Sequence, residues 1–140
     1  MPLVNKAVET VTNRLPKIIS PRVHAIIDYA TVGSFVLMGA LFWKNNKKAA
    51  VAAWCCGAME ATNTLLTDFP GGVTDVISFE THGKIDAAMA GAVATLPNLL
   101  GFSGEPEAKH FRLQGGMIAA VTGMTNFKGE EERESEYEVA

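Results

Sequence analysis

The sequence predicts an all-α fold: a four-transmembrane-helix bundle built from two tandem helical hairpins and preceded by an amphipathic N-terminal helix. Three observations lead there. First, the 140-residue chain, slid along itself by about 58 positions, aligns its halves without a gap. Ser20, His24, Ile27, Asp28, Ala30, Gly33, Leu41, Ala50, Gly57, Met59, Ala61, Thr64, Thr67, Phe69 and Gly71 face identical residues in the second half. These are about 15 identities in about 53 positions, where composition alone gives roughly four. Second, apolar residues make up 48% of the chain against 19% charged, and the charges gather in the first two dozen residues, the connectors and the last dozen. Such segregation is the pattern of membrane spans joined by wet loops. Third, the apolar stretches have helix lengths and end at Ser-Pro, Asn-Lys and Pro-Gly-Gly punctuation.

Residues 1–19 form the amphipathic element. Leu3, Val4, Ala7, Val8, Val11, Leu15, Ile18 and Ile19 keep helical spacing, with Lys6, Glu9, Asn13, Arg14 and Lys17 between them, too polar to span and suited to an interface. Pro16 bends or restarts this helix, and no secretory signal is expected from it. Residues 20–77 are the first hairpin repeat. Ser20 caps a span from Arg22 to Trp43 that is apolar apart from His24 and Asp28. Lys44 to Lys48 make a basic turn, and Ala49 to Thr67 return as a helix with one charge, Glu60, stopped by Asp68-Phe69-Pro70-Gly71-Gly72.

Residues 78–128 repeat the pattern, with helices over Thr81 to Gly101 and Ala108 to Phe127. Lys109, His110 and Arg112 make the last of these the weakest span. Residues 129–140 read as a disordered acidic tail. The mean hydropathy of +0.14 is low because the spans are built from Ala, Gly and Thr, so a soluble four-helix bundle is the alternative architecture. A net charge of −3 offers no basic surface, which sets nucleic acid aside as a partner; the lipid bilayer, a second copy or a larger membrane complex remain. Cys55 and Cys56 are adjacent and read as reduced packing residues.

The chemistry concentrates in the repeat. His24 and Asp28 are four apart, on one helix face and about 6 Å apart along the axis; His82 and Asp86 repeat this arrangement. Both helices enter from the same side, and Glu60 on the returning helix reaches a similar depth. His24, Asp28, His82, Asp86 and Glu60 are therefore the candidate metal ligands, since two imidazoles with carboxylates suit tetrahedral Zn²⁺ or another divalent ion. A haem held by His24 and His82 is a variant of the same idea. Buried carboxylates in a membrane are rare and mark functional sites by default, against the plainer role of fixing helix register.

The paired His-x-x-x-Asp pattern resembles the intramembrane zinc site of cation diffusion facilitators, where two helices each supply such a pair. That resemblance covers His24, Asp28, His82 and Asp86 alone and implies a divalent metal cofactor. Separately, residues 20 to 127 resemble small, uncharacterised bacterial four-helix membrane proteins, through His24 to Tyr29, Leu65 to Gly72 and Ile77 to Gly83. This implies a multi-pass protein of the bacterial inner membrane and brings no activity with it. The expected function is binding of a divalent ion near one membrane face. The alternative is a structural or accessory subunit whose polar cluster locks helix packing. No Ser or Cys nucleophile stands beside a base, so a metal-dependent hydrolase ranks last.

Overall fold

A computed structural model describes residues 15–127 together with Pro2, Leu3 and Lys6. Most of the expected N-terminal amphipathic helix and the whole acidic tail lie outside the described residues. Four α-helices follow: α1 Pro21–Phe42, α2 Lys47–Leu65, α3 Phe79–Leu99 and α4 Ala108–Met124. Among the described residues there is no strand, only two isolated parallel bridges.

The two hairpins start alike because their sequences do. Ser20 accepts the Val23 amide at 3.3 Å, and its repeat partner Ser78 accepts the Thr81 amide at 3.1 Å. Each side chain thus satisfies an amide that the first turn leaves without a helical partner. Asn46 caps α2 through the Ala49 amide at 3.0 Å, whereas α4 begins without a side-chain cap. Between α3 and α4, Gly101 takes φ of 76°, and Phe102 donates back to the Pro97 carbonyl at 2.8 Å. That left-handed stop suits glycine, and buried Phe102 seals it against the core.

Within each hairpin the helices approach closely at repeated glycines. A Cβ on Gly57 of α2 would stand 3.2 Å from the Phe35 Cβ of α1, and one on Gly115 of α4 would stand 2.7 Å from the Ala90 carbonyl oxygen of α3. The hairpins are joined across their open ends by the two bridges, which are repeat-equivalent. Ile19, just before α1, pairs with Thr125, just after α4; Ile77, just before α3, pairs with Thr67, just after α2. Ile19 exchanges 3.0 Å bonds with Met124 and Asn126, which explains why residues 16–19 are irregular where apolar spacing had extended the first helix.

The interior has two compartments. At the end holding the α1–α2 and α3–α4 turns, Phe35, Phe42, Ala49, Ala53, Phe102 and Phe111 make an apolar core. At the bridged end the buried side chains include His, Asp, Glu, Asn and Thr. Only α1, among the described residues, is long and apolar enough to cross a membrane by length and composition. The Ala, Gly, Cys and Thr content of α2 and the 17-residue length of α4 keep those helices below that mark.

Candidate metal centre

The Ser caps set the site. His24 and His82 each donate a backbone amide to their cap residue's carbonyl at 2.9 Å, which places both imidazoles in the first helical turn. Asp28 and Asp86 follow one turn deeper on the same faces. All four side chains are enclosed: the histidines have no exposed surface, and Asp28 and Asp86 keep 3% and 2%.

One ligand atom from each of the four residues falls within 4.8 Å of all the others. The Nε2 atoms of His24 and His82 are 3.2 Å apart. Asp86 Oδ2 lies 3.2 Å from one and 3.1 Å from the other. Asp28 straddles the pair, with Oδ1 3.2 Å from His24 and Oδ2 3.2 Å from His82. His24 Nε2, His82 Nε2 and Asp86 Oδ2 thus form a near-equilateral triangle with edges of 3.1–3.2 Å, the spacing of ligands that share a Zn²⁺ about 2 Å away, and Asp28 completes the set within 4.8 Å.

Two threonines decide which face of each ring looks inward. Thr125 Oγ1 donates its single proton to the Val121 carbonyl at 2.6 Å, so it accepts from His24 Nδ1 at 2.7 Å. Thr67 Oγ1 donates to the Asn63 carbonyl at 2.5 Å and accepts from His82 Nδ1 at 2.8 Å. Both Nδ1 atoms therefore carry hydrogen, so each ring, when neutral, presents its Nε2 lone pair to the centre. Each imidazole is oriented by a threonine of the opposite hairpin.

The acids are held as well. Asn63 Nδ2 donates to Asp86 Oδ1 at 2.9 Å, and the Thr64 hydroxyl lies 3.5 Å from Asp28 Oδ2. Phe69, Phe79 and Phe127 roof the histidines: Phe79 packs 4.7 Å from Phe127 and 5.2 Å from Phe69 between ring centres, and His24 meets all three edge-on. This aromatic cover keeps water from the bridged end, and dryness strengthens every charge interaction beneath it.

With both aspartates ionised and both imidazoles neutral, the group carries two uncompensated negative charges in a buried place. Two protons or one divalent cation would balance it. The first answer gives two imidazolium–aspartate pairs, the second a His₂Asp₂ metal centre.

Of the five residues singled out by the sequence, four meet at one point. Glu60 is 2% exposed and lines a cavity with Asp28 and Asp86, but its oxygens are not among the convergent atoms. Lys84 pairs with Glu80 at 3.3 Å on the surface, and His110 sits at the other end against Phe42. Sequence reasoning gave no role to Thr67, Thr125, Asn63 or the phenylalanine roof. The repeat held the signal for three of them, since Thr67 matches Thr125 and Phe69 matches Phe127. Comparison with protein families, curated proteins and solved structures yields no match, so the functional reading rests on this site alone.

Proposed function

We propose that the chain is a small integral membrane protein that binds a divalent metal ion, Zn²⁺ by preference, between its two hairpins near one membrane face. The observation that carries this is the convergence of the two Nε2 atoms on each other and on two carboxylates at 3.1–3.2 Å. A neutral imidazole whose other nitrogen donates to a fixed acceptor is the usual form of a metal-ligating histidine. Protonation of both rings would instead point two cationic N–H groups into one small space.

Membrane embedding is supported by where the apolar side chains stand. Only 33% of the apolar stretch of α1 is buried, unlike the core helix of a soluble protein, and Ile26, Leu37 and Leu41 point outward. Met59 on α2, Leu99 on α3 and Leu113 and Met117 on α4 are also more than half exposed. A buried ionisable cluster inside helices that turn large apolar side chains outward suits lipid better than water. The exposed faces equally fit a second copy or a partner's helices within the bilayer.

Elemental analysis after purification without chelator tests the metal. The expected result is close to one divalent ion per chain; less than one ion per several chains rejects the reading. A second reading, a metal-free polar lock, draws on the same contacts, because each Nε2 also lies within ion-pair distance of an aspartate. The lock predicts a thermal midpoint indifferent to chelator, whereas the metal centre predicts a fall.

A further inference from the structure

A cavity of ≈ 20 Å³ lies against the two aspartates. Ile, Met and Val side chains form its apolar wall, and its other lining residues, Asp28, Asp86, Glu60, Thr31 and Thr122, have side chains whose polar atoms are all oxygen. Two of these oxygens, Glu60 Oε2 and Thr122 Oγ1, are buried with no hydrogen-bond partner among the described residues. Leaving a buried polar atom unpartnered costs about 1–3 kcal/mol, more when it is charged.

The repeat does not require this arrangement. Glu60 faces Ile118 in the second half, and Thr64, the counterpart of Thr122, approaches Asp28 where Thr122 has no partner. In the equivalent cleft, lined by Met59, Asn63 and Ile85, the Asn63 amide serves Asp86 instead. An acid and an orphaned hydroxyl have thus been set on one side of the site only.

Resting on the metal-binding reading, we infer that this chamber is a second, all-oxygen subsite for a bare monovalent cation of sodium size, held by Glu60, Thr122 and the two aspartates shared with the divalent ion. Charge sets the valence: a divalent ion balances the two aspartates, so the chamber offers at most one further negative charge, on Glu60 once it gives up its proton in exchange for the entering cation. Donor chemistry sets the class, because oxygen alone favours hard cations. Volume sets the size, since the space holds one water-sized particle, whereas Mg²⁺ keeps several of its waters.

The test is the thermal midpoint of the purified protein in sodium chloride against choline chloride at equal ionic strength, with and without chelator. Binding to the folded form alone raises the midpoint saturably, by about 3 °C. This sodium increment is expected in the wild type, lost in Glu60→Gln and reduced in Thr122→Val, which serves alone if the first variant does not fold. A merely structural Glu60 would move the baseline and leave the difference between salts intact. Equal midpoints in the two salts would mean that the chamber holds water, and a sodium increment that survives Glu60→Gln would place the cation elsewhere; either overturns the inference. A chelator effect without a sodium effect leaves the divalent centre standing, whereas no chelator effect removes that centre and this subsite with it.

Discussion

Thr125 and Thr67 act through one proton each. Because that proton is committed to a carbonyl four residues back, the oxygen can only accept from the imidazole, and the ring's other nitrogen is left free to ligate. Thr125→Val is therefore expected to weaken divalent binding by about 10–100-fold in a competition titration with a chromophoric chelator, while Thr125→Ser retains most of it. Asp86→Asn separates the two readings at the same scale. It removes a charged partner from two buried imidazoles, so a metal-free lock loses about 3–5 kcal/mol of stability; a metal centre loses its chelator response as well. The four convergent residues were legible in the sequence because a spacing of four on a helix fixes a shared face, and because the spacing occurs twice. Thr67 and Thr125 were visible as repeat identities but not as ligand holders, since each serves an imidazole in the other hairpin. Glu60 was placed at the right depth, but depth along a helix does not say on which side of the aspartates a carboxylate will stand.

Helices α1 to α4 follow from apolar stretches set between turn residues, with Ser20 readable as a cap; the third starts at Phe79, ahead of the expected Thr81, because Ser78 caps it as Ser20 caps the first. The bridges could not be read, because Ile19 continues the apolar spacing of the N-terminal helix and Ile77 lies in the connector after the Pro-Gly-Gly stop. Their pairing is fixed by residues on the far hairpin. The glycines give the sharpest test of helix approach. Gly115→Ala sets a Cβ against the Ala90 carbonyl oxygen and the Ala94 Cβ, and is expected to destabilise the protein by about 1–3 kcal/mol in denaturant or thermal unfolding. Gly91→Ala, on α3 with nothing within 4 Å of the added carbon, is expected to be neutral or to stabilise by up to about 1 kcal/mol. Equal effects from the two would contradict the packing of α3 on α4.

At the scale of the molecule, a buried ionisable cluster at the bridged end stands beside an apolar core, and large apolar side chains such as Ile26, Leu41, Leu99 and Leu113 face outward. The protein is expected to stay with the membrane pellet after alkaline carbonate washing and to need detergent for extraction; recovery in the soluble fraction would favour the water-soluble bundle. The duplication was legible from the first alignment of the halves. The departures from it, Glu60 against Ile118 and Asn63 against Val121, gained meaning only once they were seen to flank the same pair of acids. The bridge between Ile19 and Thr125 joins the first stretch of the described bundle to its last. A ribosome releases Ile19 long before Thr125, so during translation His24 waits for the residue that orients it until α4 has emerged. On the metal-binding reading, tight capture of the ion follows synthesis of α4, and chains cut short within α4 are expected to hold it at least about 10-fold more weakly.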